Sequence, residues 1–308
     1  MSLTILQPGV QMTLQGAPRG GSRHLGVPAS GPADPLSMAL ANRLVGNTTD
    51  ATAIEVTFGG AAIRFDTPVS FAITGAPCDG QLADRTVAAH QTQFAQAGET
   101  LQIAPTRRGC RIYVAIAAEL EADVFLGSTS TYIPASLGGY AGRALKAGDM
   151  VSFHSAREAP ALTTPESLQP VCSNSYTLRA VEGPDYPADA QALWERVFTV
   201  TQRASRMGIE LDGDFPRLPE NANRPSSAIF PGALQLPPGG RGFLLLADAQ
   251  TTGGYPHILQ VARADRHLLG QVRPGDRIRF LHRTQQQAVD ALRSKQALLS
   301  SWLPDFSL

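Results

Sequence analysis

One short phrase, written three times, constrains the fold of this chain more than any other feature: Gln96-Ala97-Gly98-Glu99-Thr100-Leu101-Gln102-Ile103, Lys146-Ala147-Gly148-Asp149-Met150-Val151-Ser152-Phe153 and Arg273-Pro274-Gly275-Asp276-Arg277-Ile278-Arg279-Phe280. In each copy a glycine and an acid are followed by apolar residues at every second position. Glycine reaches φ > 0 without a Cβ penalty and the acid can bond to nearby backbone, so the phrase spells a tight turn feeding a half-buried strand. A Gly-Gly-Tyr echo precedes two of the copies, at Gly138-Gly139-Tyr140 and Gly253-Gly254-Tyr255. Together these suggest two related β units.

The rest of the chain agrees. Strand patterns bounded by Gly, Pro or Asp occur at Ala53–Phe58, Ala61–Phe65, Val69–Thr74, Arg111–Ala117 and Phe243–Ala247, and short strands at close spacing mean barrels or sandwiches. With 29 glycines and 23 prolines in 308 residues, long helices have little room. Two helices stand out. Asp34 can cap one that begins at Pro35 and runs through Leu36, Leu40 and Leu44 to Gly46, with Pro at the start and Gly past the end. Thr284-Gln285-Gln286-Gln287 resembles a capping box opening a helix through Val289, Leu292 and Leu299. Between Ser155 and Ser175 the chain turns Ser/Thr/Pro-rich, which reads as an interdomain connection and predicts domains at 1–165 and 166–308, the second ending in the C-terminal helix. Asp212 to Ser227, with Pro216, Pro219 and Pro225, reads as a long loop of the kind that often serves function.

Charge and cysteine content narrow the function. The 26 Lys and Arg balance 26 Asp and Glu, so there is no basic stripe for nucleic acid. Cys78, Cys110 and Cys172 are far apart, without CxxC or Cys/His pairing, which suggests neither a disulfide framework nor a zinc site. No apolar run approaches the ~20 residues that span a bilayer, and the N-terminus lacks a signal pattern, so a soluble cytoplasmic protein is expected. The P-loop, GxSxG, HExxH and GxGxxG signatures are missing, the six histidines show no metal-ligand spacing, and no metal is expected.

What remains is polar chemistry embedded in glycine. Asp248-Ala249-Gln250-Thr251-Thr252-Gly253-Gly254-Tyr255-Pro256 follows the apolar run Phe243–Ala247 and releases donors and acceptors where backbone can approach a ligand closely. The alternative is an ordinary hairpin connection bonded to itself. Arg206, in Ser205-Arg206-Met207-Gly208, offers a planar fork for carboxylate, phosphate or carbonyl oxygen; a structural ion pair with Glu210 or Asp212 is equally economical. The turn Gly26-Val27-Pro28-Ala29-Ser30-Gly31-Pro32-Ala33-Asp34 leads into a helix N-terminus able to hold an anion, unless Asp34, as cap, already fills it.

At these residues the sequence resembles a known family, which unites the C-type component of prokaryotic 5-oxoprolinase (also called the second component of allophanate hydrolase), the biotin-dependent carboxyltransferase domain of urea carboxylase, and the Kip antagonist. The likeness rests on Gly26-Val27-Pro28 with Ser30-Gly31 and Asp34, Ala41-Asn42-Arg43-Leu44-Val45-Gly46-Asn47, Glu55, Leu126-Gly127-Ser128 with Thr131, Leu137-Gly138-Gly139 and Gly142-Arg143. It continues through Ser205-Arg206-Met207-Gly208, Pro231-Gly232-Ala233-Leu234-Gln235-Leu236-Pro237, the string from Asp248 to Pro256, Ala264-Asp265, and Gln271 with Pro274-Gly275-Asp276. It covers nearly the whole chain.

The resemblance implies a mainly β fold of two cyclophilin-like β-barrel domains with a few short helices. It also implies a subunit of an ATP-dependent 5-oxoprolinase that opens the lactam of 5-oxoproline to glutamate, beside a B-type and an A-type partner. ATP belongs to the complex, on this chain or on a partner. Arg206, Asp248, Gln250, Thr251 and Thr252 are the expected catalytic group, and Ser30, Asp34, Gln235, Gly253, Gly254 and Tyr255 the expected substrate contacts; fixed donors among them suit a developing oxyanion. The family admits two other roles. One is the carboxyltransferase component of a urea carboxylase or allophanate hydrolase system, its biotin carried by another chain because no Met-Lys-Met or Ala-Met-Lys tripeptide occurs here. The other is a non-catalytic regulator that binds a kinase inhibitor. The chain departs from the family's usual pattern at Gly31-Pro32-Ala33-Asp34, at Ala117-Ala118-Glu119-Leu120, at Ser205, and at Glu210, where an arginine is usual.

Overall fold

The computed structural model describes residues 1–187, 190–216 and 225–308; residues 217–224, within the loop expected over Asp212 to Ser227, lie outside them. The chain is mainly β and forms two compact units. The first comprises Met1–Arg19, Ser30–Cys172 and Leu299–Ser307, and the second comprises Gly20–Ala29, Ser173–Leu298 and Leu308.

In the first unit two antiparallel sheets enclose one core. The larger runs Glu119–Leu120, Met150–His154, Ser2–Pro8, Ala61–Phe65, Thr100–Ile103, Gly80–Leu82, Arg85–Val87; the smaller runs Gln11–Gln15, Ala53–Thr57, Arg111–Ile116, Val69–Gly75, Thr92–Ala95. Strand alternation sends Leu3, Ile5, Ile63, Phe65, Leu101 and Ile103 inward from one sheet to meet Leu14, Ile54, Phe71 and Val114 from the other. Each such side chain, fully buried, contributes about 1.5–3 kcal/mol. Helix α1 (Pro35–Leu44) packs on Val69–Gly75 and Arg111–Ile116, burying Leu36, Met38, Leu40, Ala41 and Leu44. Its N-cap is Asp34, whose Oδ1 accepts from the Ser37 amide at 3.1 Å.

The second unit is a closed barrel of seven strands in the order Ser175–Glu182, His257–Val261, Ala233–Gln235, Gly242–Leu245, Gly208–Asp212, Val197–Ala204, Arg277–His282. The last strand returns to the first in parallel, pairing Tyr176 with Ile278 and Leu178 with Phe280. Closure leaves the barrel no free edge. Phe198 stacks on Phe215 with ring centroids 4.3 Å apart and meets Phe280 at 5.8 Å in the core. Helix α2 (Gln285–Ser300) opens on a reciprocal capping box: the Gln287 amide donates to Thr284 Oγ1 at 3.2 Å and the Thr284 amide to Gln287 Oε1 at 3.0 Å. Among the described residues no helix is long and apolar enough to cross a membrane.

The three repeated phrases adopt one structure. Gly98, Gly148 and Gly275 have φ of 86°, 88° and 90°. The acid that follows each accepts from the amide three residues before it, Glu99 from Gln96 at 2.7 Å, Asp149 from Lys146 at 2.7 Å and Asp276 from Arg273 at 3.0 Å. The Gly-Gly-Tyr echo does not repeat: Gly138 and Gly139 are left-handed (φ 64° and 67°), whereas Gly253 and Gly254 are not. Gly138 and Gly139 press against Ser130 and Thr131 in a turn with no room for Cβ atoms, while Thr252–Gly253 is a short strand.

Candidate functional site

The site is built at the end of the barrel strand Gly242–Leu245. Gly208 pairs with Leu245, and beyond the strand the Leu246 amide donates to Met207 O at 3.0 Å and the Asp248 amide to Arg206 O at 2.9 Å. This register lays Asp248 against the Arg206 turn, which is closed by Ser205 N donating to Gly208 O at 3.0 Å. Arg206 Nε donates to Asp248 Oδ2 at 2.8 Å and Nη2 to Oδ1 at 3.1 Å. Both residues are buried, so the fork is pre-oriented and the pair carries no net charge. Arg206 is thus in a structural ion pair with Asp248, not with its sequence neighbours Glu210 or Asp212. Glu210 is also buried, and Arg203 at 2.9 Å, Arg241 at 3.1 Å and Thr201 at 2.8 Å hold it. Burial opposes its charge, but those donors outweigh it and keep the carboxyl below its ordinary range. The acid that stands where the family usually has arginine is therefore neutralised locally.

After Asp248 the chain runs through Gln250 and Thr251 into Thr252–Gly253, which pairs with Ser227–Ala228; the Thr251 carbonyl accepts from the Ile229 amide at 3.0 Å. Gln235, on the barrel strand Ala233–Gln235 and almost fully buried, links the loop together. Its Nε2 donates to Tyr255 O at 3.1 Å, and its Oε1 accepts from Gln250 Nε2 at 3.3 Å. Gly253 lies so close that a Cβ there would strike the Gln235 carboxamide; here the absent side chain is what the packing requires. Thr252 and Tyr255 face solvent, while Thr251 is buried. The structure therefore brings Arg206, Gln235, Asp248, Gln250, Thr251, Thr252, Gly253, Gly254 and Tyr255 onto one end of one barrel.

Ser30 and Asp34 belong to the first unit. Asp34 is committed: it caps α1, accepts from Ser37 Oγ at 2.5 Å, and its amide donates to Tyr113 Oη at 2.8 Å. That phenol donates in turn to Glu55 Oε2 at 2.8 Å, which also accepts from the Ala33 amide at 2.9 Å. Burial, then the nearby Glu55 and Asp34 charges, hold Tyr113 protonated far above its usual range. Ser30 sits at φ 53° with a buried hydroxyl that finds no hydrogen-bond partner among the described residues. No sequence signal points to the Glu55–Tyr113 contact, because 58 residues separate the two. His257, which pairs with Gln235 on the neighbouring barrel strand, is one isolated histidine in the sequence and carries no motif. Among the described residues its buried Nε2 has no hydrogen-bond partner, and burial lowers its pKa, so the ring is neutral near pH 7.

Chemically, the loop offers the partly exposed Gln250 carboxamide and the solvent-facing Thr252 hydroxyl, beside a charge-balanced Arg206–Asp248 pair. Such a set recognises polar, uncharged amide or carbonyl groups.

A mainly β chain with a closed barrel matches the carboxyltransferase domain in fold. The family model for that domain, subdomains A and B, matches residues 25–282, and the chain belongs to this family. It is 32% identical over 298 residues to the 5-oxoprolinase C-type component of Escherichia coli (strain K12), covering 96% of this chain and 95% of that protein. With the 5-oxoprolinase C-type component of Haemophilus influenzae it shares 33% identity over 304 residues, 96% of each. Among solved structures, urea amidolyase of K. lactis superposes with a TM-score of 0.90 at 28% identity over 98% of this chain, which spans 20% of that larger protein.

Proposed function

We propose that this chain is the C-type component of an ATP-dependent 5-oxoprolinase, working with B-type and A-type partners to open the lactam of 5-oxoproline to glutamate. The observation that carries the reading is the end-to-end match to two proteins that bear the name of that component. The larger urea amidolyases match over only a small part of their length. The reading is supported by the site: the partly exposed Gln250 and the solvent-facing Thr252 suit the N–H and C=O of a lactam ring, and Gln235, Arg206 and Asp248 hold the loop that presents them. Opening the ring consumes one water and cleaves the C–N bond, and ATP hydrolysis drives it. A triphosphate needs uncompensated positive charge, and at this loop Arg206 is already matched by Asp248, so we assign ATP to a partner protein.

The carboxyltransferase family favours a second reading, in which a biotin group on another chain enters the same loop; its ureido ring presents the same N–H and C=O groups as a lactam. Coexpression with candidate partners separates the two. A complex that releases glutamate and ADP from 5-oxoproline and ATP supports the first, and a biotinylated partner with urea-dependent bicarbonate fixation overturns it. An inert binary complex would overturn both.

A further inference from the structure

A cavity of about 370 Å³ opens in the second unit. It shares no lining residue with the Asp248–Tyr255 loop, and its wall includes Val181, Phe230, Gln260, Arg263, Arg266 and Ala288. None of its lining residues is acidic. Among the described residues neither Arg263 nor Arg266 forms an ion pair; the one acid in that segment, Asp265, is held by Arg179 at 2.5 Å. Arg266 is fixed in place all the same. Its Nη1 donates to Pro231 O at 3.3 Å, Gln260 Nε2 donates to the same oxygen at 2.9 Å, and both side chains lie over the left-handed Gly232. A Cβ at Gly232 would come within 2.6 Å of Gln260 Nε2 and 2.9 Å of Arg266 Cδ. Burial, and then the neighbouring Arg263 charge, depress the Arg266 pKa. Arg266 is half-buried and Arg263 exposed at the rim, so two neighbouring cations repel each other at an open cavity, and an anion between them would relieve that repulsion. Phe230 shares the wall and is half exposed, with the Arg23 guanidinium 5.1 Å from its ring centroid. Arg23 likewise has no ion pair among the described residues.

We propose that this cavity binds a small oxyanion carried on a flat apolar body, with Arg266 and Arg263 taking the oxygens and Phe230 the body. A cavity of this size holds a single-ring ligand. It borders the support of the loop: Ser227–Ala228 pairs with Thr252–Gly253, and Phe230 follows shortly after, so an occupant presses on the segment that braces that loop.

The test needs only the purified chain and does not depend on the proposed activity. Calorimetric titration with benzoate, phenyl phosphate and the neutral isostere benzamide separates a carboxylate from a phosphate source. One of the two anions should bind saturably with Kd near or below about 1 mM, at least tenfold more tightly than benzamide. Arg266→Gln should weaken it about tenfold or more, and Arg263→Gln by a smaller factor, at unchanged urea midpoints. Gln250→Ala should leave it unaltered. No saturable binding, equal binding of benzamide, or full affinity in both folded arginine variants overturns the proposal.

Discussion

Arg206 and Asp248 meet in a two-pronged ion pair whose side chains are only 5% and 4% exposed. A buried pair of this kind is worth little against a well-packed apolar substitute, but removing one partner strands a charge and costs about 3–5 kcal/mol. Arg206→Ala, which strands the Asp248 carboxylate, should therefore lose stability on that scale in urea denaturation, and adding Asp248→Leu should recover much of it. In the assembled complex Arg206→Ala or Asp248→Ala should abolish most turnover; full activity would remove the pair from the proposed machinery.

Gly253→Ala tests the loop without touching a charge. The new methyl would displace the Gln235 carboxamide and with it the bonds to Tyr255 and Gln250. Losing them should cost about 1–3 kcal/mol and raise KM for the amide substrate. A variant with wild-type stability and kinetics would show that Gln235 does not organise this loop.

Asp34→Ala removes the cap of α1 and should destabilise the first unit by about 1–2 kcal/mol, whereas Asp34→Asn should retain most of the cap. Thermal unfolding resolves the difference. Equal losses for both would mean that the carboxylate's charge, and not its accepting geometry, matters.

Acid sensitivity should come from two buried histidines. Burial, reinforced by Lys295, pushes His267 down to about 3, and burial pushes His90 down to about 4. Both titrate near 6.5 in the unfolded chain, so between about pH 6.5 and 4 the unfolded state takes up protons that the folded state refuses. Stability should fall as pH drops through that window, by up to about 1.4 kcal/mol per pH unit for each histidine. Lys295 Nζ donates to His267 Nε2 at 2.8 Å. His267→Gln, which can keep an acceptor for Lys295, should flatten the slope; an unchanged slope would show that His267 is not excluded from protonation.

The sequence alone determined the features that depend on three or four neighbouring residues. The turn glycines of the three repeated phrases, the acid that bonds to nearby backbone, the Asp34 cap and the Thr284–Gln287 box were all legible because their partners lie within one turn of chain. Period-two alternation likewise placed strands such as Ala61–Phe65. Only the tertiary structure decided which charge meets which. Arg206 lies four residues from Glu210 yet binds Asp248, 42 residues away, because the register of Gly208 on Leu245 sets the turn against that strand end. For the same reason two identical tripeptides, Gly138-Gly139-Tyr140 and Gly253-Gly254-Tyr255, became different structures: a glycine takes the conformation its surroundings demand, and those surroundings are assembled from distant strands.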